Sequence, residues 1–182
     1  MTWLHTLTVL AAAFLAVFWE TAFGGVRHLL GAQVDLLPPL LIYAGLCTSL
    51  TGVCLTAFLG GLWFDSLSAN PFGISVFPLF AVGLAAYLVR EFILRDQAFA
   101  QFVLGLAASA AVPLLTLVFL LTTGHTPRLG WGTLWQFIVM TVGGGVATPV
   151  LFIFFERLRG ALMHSRIAES SFRPDREIRR GR

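Results

Sequence analysis

The chain is 182 residues long, 57% apolar and only 12% charged, with a formal net charge of +3. So apolar a composition excludes an ordinary soluble domain and points to a membrane protein. Twelve charged side chains crowd into residues 156–182 and nine serve all the rest, which divides the chain into a transmembrane bundle, 1–155, and a basic tail, 156–182.

A helix needs about 20 apolar residues to cross about 30 Å of hydrocarbon. The first such segment runs from Trp3 to Phe23. No basic n-region precedes it and no small-x-small site follows, so it reads as an uncleaved span. Between Asp35 and Phe64 lies a charge-free run too long for one straight span, broken at its midpoint by Thr48, Ser49, Thr51 and Gly52. That break predicts two short helices. Asp35 is placed to cap the first of them, ahead of Pro38 and Pro39, which need no hydrogen bond in a first turn; a functional carboxylate is the other reading. The next helix, Gly52 to Phe64, carries Gly52, Thr56 and Gly60 at four-residue steps, a small-residue stripe that lets another helix approach closely in lipid.

The fourth span, Pro71 to Val89, opens on Asn70 and Pro71 as N-cap and first helical residue. Ala98 to Thr122 and Gly132 to Phe155 supply the fifth and sixth, and Leu158 and Leu162 suggest that the last helix continues to the interface, with disorder expected beyond Ser170. Pro78, Pro113 and the Gly143-Gly144-Gly145 run before Pro149 predict kinks packed against other helices. Trp3, Trp19, Trp63, Trp131 and Trp135 all fall near span ends, as an aromatic belt requires. The expected fold is therefore all-α: a polytopic integral membrane bundle of about six transmembrane helices, with short second and third spans.

Six spans put both termini on one side, and the eight Arg of the tail assign that side to the cytoplasm, together with Arg90 and Arg95. Fusing the second and third spans would give five helices and an external N-terminus, and the arginine count alone does not separate the two. Length and the small-residue break favour six. The tail is suited to anionic lipid; without a basic stripe interleaved with aromatics, nucleic acid is excluded as a partner.

Little here points to bond-making chemistry. Cys47 and Cys54 lie in apolar sequence with no His or acid beside them, and His5, His28, His125 and His164 are scattered without a second ligand one helical turn away. No Gly-x-Ser-x-Gly occurs, and Ser109 sits in an Ala-rich helix that reads as packing surface. An intramembrane aspartyl protease would need Gly-x-Gly-Asp, whereas Leu62-Trp63-Phe64 precedes Asp65. Glu20, Asp35 and Asp65 all fall at span ends, where a carboxylate is tolerated more cheaply than at the bilayer centre. Glu91 and Arg95 stand one helical turn apart beside Arg90, either an anchor on the cytoplasmic side or a docking site for a cytoplasmic partner. No catalytic residue, cofactor or metal site is expected.

The densest local pattern is Gly60-Gly61-Leu62-Trp63-Phe64-Asp65 through Asn70-Pro71-Phe72-Gly73. It resembles the rod shape-determining protein MreD family, whose signature is Gly-Leu-x-x-Asp at a span end followed by Pro-x-Gly opening the next. Gly61, Leu62, Asp65, Pro71 and Gly73 match it, and Asp35-Leu36-Leu37 is similar to the acid that leads into that family's short second span, with Pro38-Pro39 as a departure. The resemblance covers residues 1 to 160; the Arg-rich tail is longer than the family implies. It implies a non-enzymatic component of the bacterial elongation complex in the inner membrane, associating with MreC and through it with MreB, RodA and a class B peptidoglycan transpeptidase. It also implies that Asp65 matters, as a cap or as an ion pair with a partner.

A rival reading is a substrate-binding S-component of an energy-coupling-factor vitamin transporter. Such proteins have a similar six-helix architecture, and Ala12-x-x-x-Ala16 in the first span resembles the motif with which they meet their coupling partner. An external vitamin pocket would draw on Asp65, Asn70 and Arg128, few polar groups for such a ligand.

Overall fold

The computed structural model describes residues 2–22, 31–68, 71–93, 97–124 and 130–170, and every regular element among them is helical. In chain order these are α1 (Thr2–Ala22), α2 (Leu37–Cys47), α3 (Leu50–Leu67), α4 (Val76–Val89), α5 (Ala98–Thr122) and α6 (Trp131–Ser170). Four of them, α1, α3, α5 and α6, contain stretches long and apolar enough to cross a membrane. The chain is an all-α membrane protein. It divides into two compact units, 1–151 and 152–182, a boundary four residues earlier than the one that charge suggests.

The shortest helix occupies the centre. At eleven residues α2 extends only about 16 Å. Every residue from Leu37 to Leu46 is buried, and α1, α3, α4 and α5 all pack on it. A helix apolar on every side is stable only when enclosed, and here its neighbours enclose it. The short second span is thus a core helix whose length need not match the bilayer. It stops at Thr48, whose extended backbone leaves the helix while its N–H donates to the Ala44 carbonyl at 2.8 Å. Ser49 then starts α3, its hydroxyl accepting from the Gly52 amide at 3.4 Å. The two-helix reading of this run and the polar break that separates them are both present.

Several helix boundaries differ from expectation, among them the start of α3 at Leu50 rather than Gly52. The third helix runs to Leu67 rather than Phe64, because nothing between Trp63 and Leu67 opposes helix, and Asp65 therefore sits inside its last turn. The fourth helix begins at Val76, not at Pro71. Gly73 adopts a φ of +89°, a conformation that only glycine takes at little cost, and residues 71–75 form a turn closed by Ile74 N–H to Pro71 and Val76 N–H to Gly73. Pro71 consequently opens a turn rather than a helix, and Pro78 falls in the first turn of α4 instead of kinking its interior.

Packing between helices relies on small residues, since lipid offers no hydrophobic drive for association. A side chain at Gly52 would press on Thr48 and on Thr6 of α1, and one at Gly60 would lie 3.0 Å from the Leu37 side chain of α2. Thr56, fully buried between them, returns its hydroxyl to the Gly52 carbonyl at 2.8 Å. The α5 and α6 helices interlock by a second such device, which includes Ser109 of the packing surface and Gly144 of the glycine run. Gly105 lies directly against Thr148, and Gly144 directly against Ser109. Each helix presents a glycine to the other's hydroxyl residue one turn away. By contrast Phe14, Leu15, Phe18, Phe99, Leu114, Val118, Val142, Val146 and Val150 are exposed on α1, α5 and α6, the helices long enough to face lipid.

Candidate functional site

Chemistry-bearing side chains gather at the two ends of the helices in unit 1–151. At one end three acids meet the starts of helices. Asp65, in the last turn of α3, is only 3% exposed, and its Oδ2 accepts from the Ser75 amide at 3.1 Å, at the N-cap of α4. Its Oδ1 is buried and has no hydrogen-bond partner. The carboxylate thus bridges the ten residues between the end of one helix and the start of the next, compensating the positive N-terminal end of α4.

The glycines of the same motif explain why the corner closes. A Cβ at Gly61 would lie 2.9 Å from the Val76 Cα, so α3 and the start of α4 touch backbone to backbone there. Gly73 turns the chain. Gly61, Asp65, Pro71, Gly73 and Ser75 therefore act on one corner, Pro71 by accepting the first hydrogen bond of the turn. Asn70 lies outside the described residues.

Nearby in the chain order of this end, Asp35 is 5% exposed and accepts from the Leu37 amide at 2.9 Å. It stands one residue ahead of the N-cap of α2, which is Leu36. Glu20, at the end of α1, accepts from the Leu36 amide itself. Two carboxylates from different helices thereby hold two consecutive amides at the start of the core helix. In the sequence Glu20 is only an acid at a span end. Its partner is sixteen positions away and belongs to the backbone, so no side-chain spacing could reveal it. A second clasp was equally hidden: Gln136 on α6 accepts from the Gln33 amide at 3.0 Å and donates to the Gln33 carbonyl at 2.8 Å. The amide side chain thus completes the peptide edge of the segment leading into α2, as a neighbouring strand would.

The opposite end carries the cation. Arg90, just past α4, lies with its guanidinium carbon 4.1 Å from the centre of the Tyr87 ring, a cation–π contact. The start of α1, the end of α2, the Thr48-Ser49 link and the end of α4 border a half-open cavity of about 320 Å³ lined by His5, Cys47, Thr48, Ser49, Tyr87 and Arg90. His5 is within 3.4 Å of the Tyr43 hydroxyl, tying α1 to α2 at its rim. Glu91 follows in an exposed turn after α4 has ended, and Arg95, its expected helical partner, lies outside the described residues.

Among the described residues no group of three or more His, Cys, Asp or Glu could hold a metal ion. Cys47 and Cys54 are not joined in a disulfide. The arrangement is one of helix ends tied by acids on one side and an open, singly charged cavity on the other. Compared with protein-family models, with characterised proteins and with solved structures, the chain has no match.

Proposed function

We propose that this protein is a non-enzymatic membrane scaffold of the bacterial elongation complex, resembling MreD and associating with an MreC-like protein to support cell shape and lateral peptidoglycan synthesis. One observation carries the reading. The matching residues of the corner motif are spread over thirteen positions, Gly61 to Gly73, and four of the five, Gly61, Asp65, Pro71 and Gly73, have a physical task in one tight corner between α3 and α4. A motif whose members cooperate in space is less easily a coincidence of apolar sequence. The helices also suit the role: small-residue seams and exposed apolar faces on α1, α5 and α6 are surfaces on which further transmembrane helices can pack. In this reading the chain lies in the bacterial inner membrane with its tail in the cytoplasm, and MreB, RodA and a class B transpeptidase are reached through MreC.

The test is detergent extraction of the tagged full chain from a rod-shaped bacterium, with mass spectrometry of both proteins and small molecules that remain bound. An MreC-like protein in stoichiometric amount is expected, together with rounding of cells when the chain is depleted. A stoichiometric vitamin without any wall-synthesis partner would replace this reading with the S-component one.

A further inference from the structure

Arg90 has no use in the corner just described, and the cavity beside it is built from four separate helix ends. We propose that this cavity binds the phosphate of an anionic lipid headgroup. The proposal goes beyond the scaffold reading and does not depend on it.

The first reason is charge. Arg90 is the one cation of permanent charge among the described residues of the cavity wall, and its contact with the Tyr87 ring orients the guanidinium without neutralising it. No carboxylate among the described residues pairs with it. The second is the supply of neutral donors. Thr48 spends its hydroxyl proton on the Ala44 carbonyl, but the Ser49 hydroxyl is exposed and accepts only one amide hydrogen, leaving its own proton to give. Ser49 is also the N-cap of the eighteen-residue α3, with the Gly52 and Val53 amides turned back to it and those of Leu50 and Thr51, next to it in the chain, left over. A guanidinium and a free-to-donate hydroxyl on one opening, with a helix start beside them, supply charge-assisted donors for a phosphate.

The third reason separates a lipid from a dissolved anion. The cavity opens where α3 begins, and α3 is long and apolar enough to span, so its mouth lies at the membrane surface. Leu50, Leu88 and Val89, which adjoin the lining residues in the chain, are 42%, 66% and 42% exposed. Acyl chains cover such residues and a free phosphate does not. A volume of about 320 Å³ also exceeds what a bare phosphate fills and admits a glycerol-phosphate headgroup. Glu91, exposed beside Arg90, opposes the anion and sets an upper limit on its affinity.

The experiment uses the purified full chain in an uncharged detergent, with native mass spectrometry and thermal unfolding on addition of phosphatidylglycerol, phosphatidylcholine or inorganic phosphate. Phosphatidylglycerol should bind and raise the unfolding temperature, and the other two should not. Arg90→Gln should weaken phosphatidylglycerol about five- to tenfold, Ser49→Ala by less, and Glu91→Gln should tighten it. Arg157→Gln, in the tail, should leave this component of binding unchanged. Equal binding by folded Arg90→Gln and the unaltered chain would overturn the proposal, as would equal retention of phosphatidylcholine. Inorganic phosphate matching phosphatidylglycerol would overturn the lipid assignment in favour of a soluble anion.

Discussion

The two ends of the α1–α4 helices handle charge in opposite ways. At one end Glu20, Asp35 and Asp65 are turned inward onto the amides of Leu36, Leu37 and Ser75, so each acid completes a hydrogen bond that a helix start would otherwise lack. At the other, Arg90 rests on an aromatic ring at the edge of a cavity and completes nothing in the backbone. The lesson is that a charge near a membrane is not by itself a site. Acids satisfied by backbone amides belong to the architecture, while a cation whose donors remain unspent is available to a ligand.

The contrast can be broken outright by topology. In a background lacking Cys47 and Cys54, a cysteine at Phe72 and one at Phe92, both exposed and on either side of α4, should react with an impermeant maleimide from opposite sides of the membrane. Labelling of both in intact cells would show that the two ends share one surface and that α4 does not cross.

Among substitutions, Gly61→Val should do most damage at the acid end. Its Cβ would press on the Val76 backbone, which cannot step aside as a flexible side chain would, at a cost of about 1–3 kcal/mol. Thermal unfolding in detergent and abundance in the membrane should both fall. Asp65→Ala follows, at about 1–2 kcal/mol, since the buried Ser75 amide loses its acceptor; Asp65→Asn keeps an acceptor oxygen and should lose less than half as much. If both Asp65 variants accumulate normally yet lose an MreC-like partner, the carboxylate is a partner contact instead of a cap. Glu20→Ala should cost about 1 kcal/mol by freeing the Leu36 amide, with Glu20→Gln milder for the same reason.

The smallest effect belongs to the other end. Arg90→Gln should change stability in lipid-free detergent by no more than about 0.5 kcal/mol, because the side chain holds no buried hydrogen bond. A loss as large as that of Asp65→Ala would make Arg90 structural and erase the difference between the ends.

Sequence alone determined what depends on composition and near neighbours. The apolar content demands a membrane, the Thr48-Ser49 break demands two helices where hydropathy shows one run, and four-residue steps of Gly52, Thr56 and Gly60 demand a close helix contact. The corner from Gly61 to Gly73 was legible in part for the same reason, since Asp65 and its partner Ser75 lie ten residues apart, although Pro71 opens a turn and the next helix starts only at Val76. Tertiary structure alone decided what depends on distant backbone. That α2 is the enclosed core, that Glu20 serves the start of a helix sixteen residues on, that Gln136 clasps Gln33 and that Ser109 fits against Gly144 follow from which helices become neighbours. Backbone groups are the same at every position and leave no mark in a sequence, so a side chain that answers them can be recognised only once the chain is folded.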